Sequence, residues 1–275
     1  MFIDSHVHIY PNNPNKYPLP ENKGEGNPNV EFLIETLDHA GVDKAVIVQP
    51  DEYDNKETTE YVAECLRRFP DRLAACGLIN PQRRDAPEEL ERQVKEYGFG
   101  GTRLYLSRHK NPMELSFTDQ DRLWNKVAEL NVTFIVLASA QDLPYLEPII
   151  ARHPATKVVI DHMGRPGHFE PFPSPLLENV TKLVKYPSVY VKMSHFHGLS
   201  RQPYPHPDTQ RIAKHLFETF GPKRMLYGSD FPGITRKPGY KPGVDIARVH
   251  VDFLKPEDRE WVFHKTAESI WKWTG

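Results

Sequence analysis

The 275-residue chain is 39% hydrophobic and 26% charged, enough apolar side chains for a large core. Its formal charge of −2, from 35 basic and 37 acidic residues, removes any global electrostatic case for a nucleic-acid partner. No stretch is long and apolar enough to span a bilayer, no secretory leader precedes the first strand, and two cysteines form no disulfide framework, so Cys65 and Cys76 are read as free thiols of a cytoplasmic protein.

The chain opens "MFIDSHVHIY", an apolar run that predicts a buried strand over 2–9. Strand alternation then puts Asp4, His6 and His8 on one face. Three ionisable groups on a core strand are costly unless a metal, a substrate or counter-charges meet them. A polar, proline-rich segment over 11–29 follows and is read as a cover for one side of the site. Next come a helix over 30–40, a strand over 43–49 and an amphipathic helix over 57–69. The pattern repeats with a strand over 72–79 and a helix over 86–97, where Pro87 sits early, as a helix tolerates it. The fourth unit is a strand over 99–106 with a helix over 118–130, Thr118 reading as its N-cap. Units over 132–153, 157–185 and 188–220 have the same form. The last strand, over 224–230, precedes helices between 244 and 273.

Eight strand–helix units without hairpin turns or a linker predict one (β/α)8 TIM barrel over 1–275, with a doubly wound open sheet as the alternative. Links from helix to strand are short. Links from strand to helix are long, notably 10–29, 107–117, 164–173, 195–208 and 231–243, and they hold many of the 26 prolines. Long loops at the C-terminal ends of the strands are where barrels build their sites.

Strand ends facing that surface supply His6 and His8, Arg103 and Tyr105, His162, Lys192 and Ser194, and Asp230. Taken singly, each has a bland explanation. The histidine pair reads as core histidines, "GSD" as a turn and helix cap, His162 with Asp161 as a surface pair, and Arg103 and Arg165 as ion-pair partners. Gathered at matching ends of several strands, they predict a catalytic mouth. The loop "SHFHGLSRQPYPHP" over 194–207, with His195, His197, Arg201, Tyr204 and His206, reads equally as a substrate lid and as a solvated loop.

"IDSHVHIY", "DHMGRP" and "YGSDFP" together resemble the amidohydrolase superfamily, in particular its amidohydrolase-related branch of lactonases and dicarboxylate-lactone hydrolases. The resemblance implies a hydrolase of a lactone or related cyclic ester of a carboxylated small molecule. It implies that Asp230 activates water, that His162 and Arg165 polarise the carbonyl, and that Arg103 and Arg165 hold carboxylates. Tyr105, Arg201 and Lys192 complete the expected substrate contacts. It further implies either one divalent metal, zinc first and manganese second, on His6, His8 and Asp230 with His162, or a metal-independent site. Many members carry a histidine at the end of the fifth strand. Here that segment reads "FIVLASAQ", with Leu137, Ala138 and Ser139, which argues against two metals. The alternatives are a metal-dependent decarboxylase of an aromatic or unsaturated acid and a catalytically silent binding barrel. The C-terminal "IWKWTG" is compatible with a homo-oligomer and equally with Trp271 and Trp273 packed internally.

Overall fold

The computed structural model describes residues 1–13, 15–17, 28–50, 55–106, 120–167, 172–236 and 238–273. Eight short apolar runs form strands β1 (Ile3–Val7), β2 (Lys44–Val48), β3 (Leu73–Cys76), β4 (Gly101–Tyr105), β5 (Thr133–Leu137), β6 (Lys157–Ile160), β7 (Val189–Ser194) and β8 (Met225–Gly228). All ladders are parallel, β1 to β3 in one run and β4 to β8 in another, in sequence order. Backbone hydrogen bonds join the two runs at both seams. At one, the Gly77 N–H donates to Gly101 O at 2.9 Å and the Arg103 N–H to Gly77 O at 2.9 Å. At the other, the Asp230 N–H donates to His6 O at 3.0 Å and the His8 N–H to Phe231 O at 2.7 Å. The ring is therefore a (β/α)8 barrel and not an open doubly wound sheet.

Helices α1 (Val30–Ala40), α2 (Lys56–Arg68), α3 (Ala86–Tyr97), α4 (Asp121–Glu129), α5 (Leu143–Arg152) and α6 (Pro175–Thr181) follow the first six strands. A single turn α7 (Phe196–Leu199) and the long α8 (Pro207–Phe220) follow β7. Short helices α9 (Gly233–Arg236), α10 (Tyr240–Asp245), α11 (Pro256–Glu260) and α12 (Thr266–Ile270) complete the chain. In α1 the spacing of Val30, Leu33, Leu37 and Ala40 turns one apolar stripe onto the barrel. The expected N-cap Thr118 and most of the 11–29 cover lie outside the described residues.

Several elements end earlier than their apolar patterns suggest, and three of them bear on the site or the winding that follows. The strand expected over 157–163 stops at Ile160, because Asp161–Gly164 winds into a 3-10 turn with left-handed His162 (φ 51°) and Met163 (φ 55°). The helix expected over 174–185 passes from α6 into a 3-10 turn over Lys182–Lys185. The last strand stops at Gly228, and Asp230 follows in the left-handed region at φ 66°.

The strands are buried on both faces, with two apolar layers. Val7, Ile9, Leu33, Leu37, Val62 and many others fill the space between strands and helices. Ile3, Val46, Val48, Ala74, Cys76, Ile135, Val159 and Leu226 fill the barrel itself and meet Trp271 at its N-terminal end. Trp271 is 1% exposed, so it packs internally. Both cysteines are buried and free, and burial pushes the Cys65 thiol up to about 12. Among the described residues no helix is long and apolar enough to cross a membrane.

One expectation about β1 is corrected. The register between β1 and β2 shifts between Asp4 and Val7, so strict alternation fails there. Asp4 accepts hydrogen bonds from the Tyr240 hydroxyl and the Ser229 N–H, both at 2.8 Å, within the layer packed by α10. His6 and His8 turn instead into the barrel mouth. Asp4 does not share their face.

Candidate active site

The C-terminal rim of the barrel gathers three imidazoles around one oxygen of a carboxylate. Asp230 Oδ1 lies 3.5 Å from His6 Nε2, 3.6 Å from His8 Nε2 and 3.8 Å from His162 Nε2. The two β1 histidines bring their Nε2 atoms to 3.3 Å of each other. These residues come from β1, the turn after β6 and the turn after β8, and their backbones make the convergence. The left-handed conformations of His162 and Asp230 swing both side chains inward immediately after their strands. At Gly228 an added Cβ would stand 2.7 Å from His6 Cβ, so the seam between β1 and β8 can close only over a glycine.

Outer contacts aim the rings. His8 Nδ1–H donates to Val48 O at 2.6 Å; since a carbonyl only accepts, Nδ1 carries a proton, and the bond turns Nε2 toward the site. His162 Nδ1 meets Ser194 Oγ at 3.0 Å. His6 Nδ1 stands 3.0 Å from Lys192 Nζ and 3.2 Å from Asp161 Oδ1. Burial and the Lys192 charge hold His6 down to about 3, against the pull of Asp161. Burial likewise holds His162 well below the ordinary histidine range. Both rings are therefore neutral around pH 7. Burial acts to raise Asp230, but His162, the bond from His195 and the two β1 histidines outweigh it and hold the carboxyl well below its usual range.

This donor set fits a divalent ion. A tetrahedral centre with bonds of about 2.0–2.2 Å spaces its ligand atoms about 3.3–3.6 Å apart, and the distances above fall close to that edge. His6, His8 and Asp230 form one group with ligand atoms mutually within 4.8 Å, and His162, His195 and Asp230 form another. Neutral imidazoles and one carboxylate are donors that zinc accepts.

The other expected residues divide. Arg103 is 2% exposed; its Nε and Nη2 both donate to Asp161 Oδ2, at 3.0 and 2.7 Å, and its Nη1 donates to the Tyr105 hydroxyl at 2.7 Å. Lys192 is fully buried with Nζ 2.9 Å from Asp161 Oδ1. Asp161 and His162 are no surface pair: they are 0% and 2% exposed. Below the mouth, then, sits an ion network in which Asp161 answers two cations. Arg165 is left-handed (φ 47°), and its Nε is buried with no hydrogen-bond partner among the described residues. Arg201 is exposed and lines a separate cavity of about 370 Å³ with Phe172, Ser174, Asp208 and Arg211; its N–H donates to Asp208 Oδ2 at 2.8 Å.

Sequence reasoning left two members out of the site. Asp161 was visible only as the neighbour of His162. His195 was visible only as one histidine of a loop, yet its Nδ1 lies 2.5 Å from Asp230 Oδ2. The signal that would have found His195 is its place directly after β7, the position His162 and Asp230 occupy near their own strands.

The sequence matches the family described as Amidohydrolase over residues 3–273. An L-fucono-1,5-lactonase from Burkholderia ambifaria is 27% identical over 215 residues, covering 74% of this chain and 69% of that protein. A 2-pyrone-4,6-dicarboxylate hydrolase from Comamonas testosteroni is 26% identical over 268 residues, covering 92% and 82%. The crystal structure of an amidohydrolase from Burkholderia multivorans with bound zinc shares the fold, with a TM-score of 0.81 at 20% identity over 98% of both chains.

Proposed function

Because the chain belongs to the amidohydrolase family, we propose that it hydrolyses a lactone of a carboxylated small molecule, with Asp230 as general base. The observation that carries this reading is the convergence of three imidazole Nε2 atoms on Asp230 Oδ1 at the mouth, where Asp230 keeps 14% exposure. The relatives named for fuconolactone and pyrone dicarboxylate hydrolysis support the substrate class.

The chemistry follows from the residues. Asp230, ionised at neutral pH, takes a proton from a water as its oxygen adds to the lactone carbonyl carbon. The carboxyl then returns the proton to the ring oxygen as the C–O bond breaks and the hydroxy acid forms. His162, whose Nε2 lies 3.8 Å from Oδ1 of the same carboxylate, is placed to orient the carbonyl. The buried Nε–H of Arg165, without a hydrogen-bond partner among the described residues, suits a substrate carboxylate, which a guanidinium binds through parallel hydrogen bonds. Arg103 and Lys192 serve the barrel rather than the substrate, since their charges are engaged with Asp161.

His6, His8 and Asp230, with His162, would hold one divalent metal, zinc before manganese. Such an ion would supply Lewis acidity toward the carbonyl. The fifth strand offers no further ligand, for Leu137 and Ala138 end it. The buried free thiols Cys65 and Cys76 support a reducing, cytoplasmic location.

The test is proton release by the purified protein on a panel of sugar lactones, muconolactones and pyrone dicarboxylates, with carbon dioxide monitored in parallel on aromatic acids. Hydrolysis that falls at least about 1,000-fold in Asp230→Asn, with the fold intact by circular dichroism, is the expected result. Release of carbon dioxide, or no turnover of any lactone, would overturn the reading. Elemental mass spectrometry of the same protein decides the metal: about one zinc per chain, lost in the His6→Ala/His8→Ala variant, is expected.

A further inference from the structure

We propose that His195 is the positioning residue of the Asp230 carboxylate, and that Gly198 is the seat that holds its ring. The inference rests on the hydrolytic reading for its activity arm and on geometry alone for the rest.

Asp230 has two oxygens with different surroundings. Oδ1 faces the three Nε2 atoms. Oδ2 lies 2.5 Å from His195 Nδ1. One hydrogen bond to Oδ2 fixes the rotation of the carboxylate about its Cβ–Cγ bond, and so decides where Oδ1 points. Without it, the broad terminal torsion of an aspartate is limited only by the longer contacts of Oδ1 at 3.5 to 3.8 Å. A general base must hold its acceptor lone pair on the line to the water, so rotation of this group lowers turnover more than affinity.

The ring is itself constrained on three sides. His162 packs against it with ring centroids 4.7 Å apart, and His197 lies on the other side at 4.9 Å. Gly198 closes the third side. A Cβ added there would stand 1.9 Å from His195 Nε2 and 2.3 Å from Cε1. Gly198 lies within α7, so its backbone accepts alanine, and only the histidine ring would have to leave. The short stretch "SHFHG" (194–198) thus works as one piece: Ser194 bonds His162, His195 bonds Asp230, and Gly198 leaves room for the ring.

Four variants test this. Asparagine places its side-chain N–H near the position of Nδ1, and glutamine places it one bond farther out, near Nε2. His195→Ala and His195→Gln should lower kcat about 10- to 100-fold with KM moved less than about 3-fold, as expected for a lost hydrogen bond to a charged group. His195→Asn should recover most of that loss, and Gly198→Ala should resemble His195→Ala. A second readout needs no substrate: a downfield, exchange-protected imidazole Nδ1–H resonance in 15N-labelled wild-type protein, absent from all three His195 variants and displaced in Gly198→Ala. His195→Asn as impaired as His195→Gln would overturn the proposal by assigning His195 a role beyond donation. A Gly198→Ala protein with unchanged resonance and turnover would overturn the seat. If no lactone is turned over, the hydrolytic reading fails by itself, and the resonance still decides the His195–Asp230 bond.

Discussion

Asp161 is the residue on which the interior of the mouth depends electrostatically. It is fully buried, accepts Arg103 at 2.7 Å on one oxygen, and has Lys192 at 2.9 Å on the other. Burial acts to raise its carboxyl, but Lys192, His6 and Arg103 together hold it well below the usual range. With Asp230 at the mouth counted, two carboxylates balance the two cations. Removing one partner of such a set strands the others, and that costs more than the pair contributes when whole. Asp161→Asn should therefore destabilise the protein by about 3–5 kcal/mol in urea denaturation. A loss below about 1 kcal/mol would mean that the buried cations do not depend on Asp161 for their counter-charge. The same residue explains why Arg103 looked like a substrate arginine. An arginine at a strand end reads identically whether its carboxylate belongs to a ligand or, as here, to the turn after another strand.

At the scale of elements, local chemistry sets where helices begin. Asn29, Asn55 and Ser174 cap α1, α2 and α6 by accepting the N–H of Phe32 at 3.0 Å, Thr58 at 3.0 Å and Leu177 at 3.2 Å. Each cap is worth about 1 kcal/mol, and the three are far apart, so their losses add. The triple variant Asn29→Ala/Asn55→Ala/Ser174→Ala should lose about 3 kcal/mol by chemical denaturation. A total under about 1 kcal/mol would assign the first turns to tertiary packing alone. Elements of this kind are legible in the sequence: α1 and α3 span the residues that their apolar spacing indicates, and each strand falls within its apolar run. What is not legible is where a strand gives way to a turn that aims a side chain. The β1 irregularity that separates Asp4 from His6, and the left-handed residues His162, His195 and Asp230, leave no periodic trace, because a single backbone angle changes while the hydrophobic pattern continues. The ligand-type residues His6, His8, His162 and Asp230 were legible by their chemistry. His195 was hidden by standing among the other histidines of its loop.

The whole molecule separates stability from chemistry along the barrel axis. The C-terminal end carries the histidines, while the N-terminal end is closed by Trp271, which belongs to one apolar cluster with Ile3, Val46, Ile135 and Leu226. The last turn of the chain is tied there as well, since the Thr133 hydroxyl donates to Ile270 O at 3.0 Å. Truncating so large a buried ring leaves a cavity that the surrounding strands, hydrogen-bonded into a closed ring, cannot collapse to fill. Trp271→Ala should therefore cost about 3–5 kcal/mol and lower the melting temperature by on the order of 10 °C. The mouth is built from other residues, so lactone hydrolysis measured well below the new melting temperature should stay within about 3-fold of wild type. One route links the two ends: Lys192, whose Nζ lies 5.8 Å from the Trp271 ring and 3.0 Å from His6 Nδ1. If turnover in Trp271→Ala falls more than about tenfold while the protein remains folded, the plug acts through that lysine on the first-strand histidine, and the division between a stabilising floor and a catalytic rim does not hold.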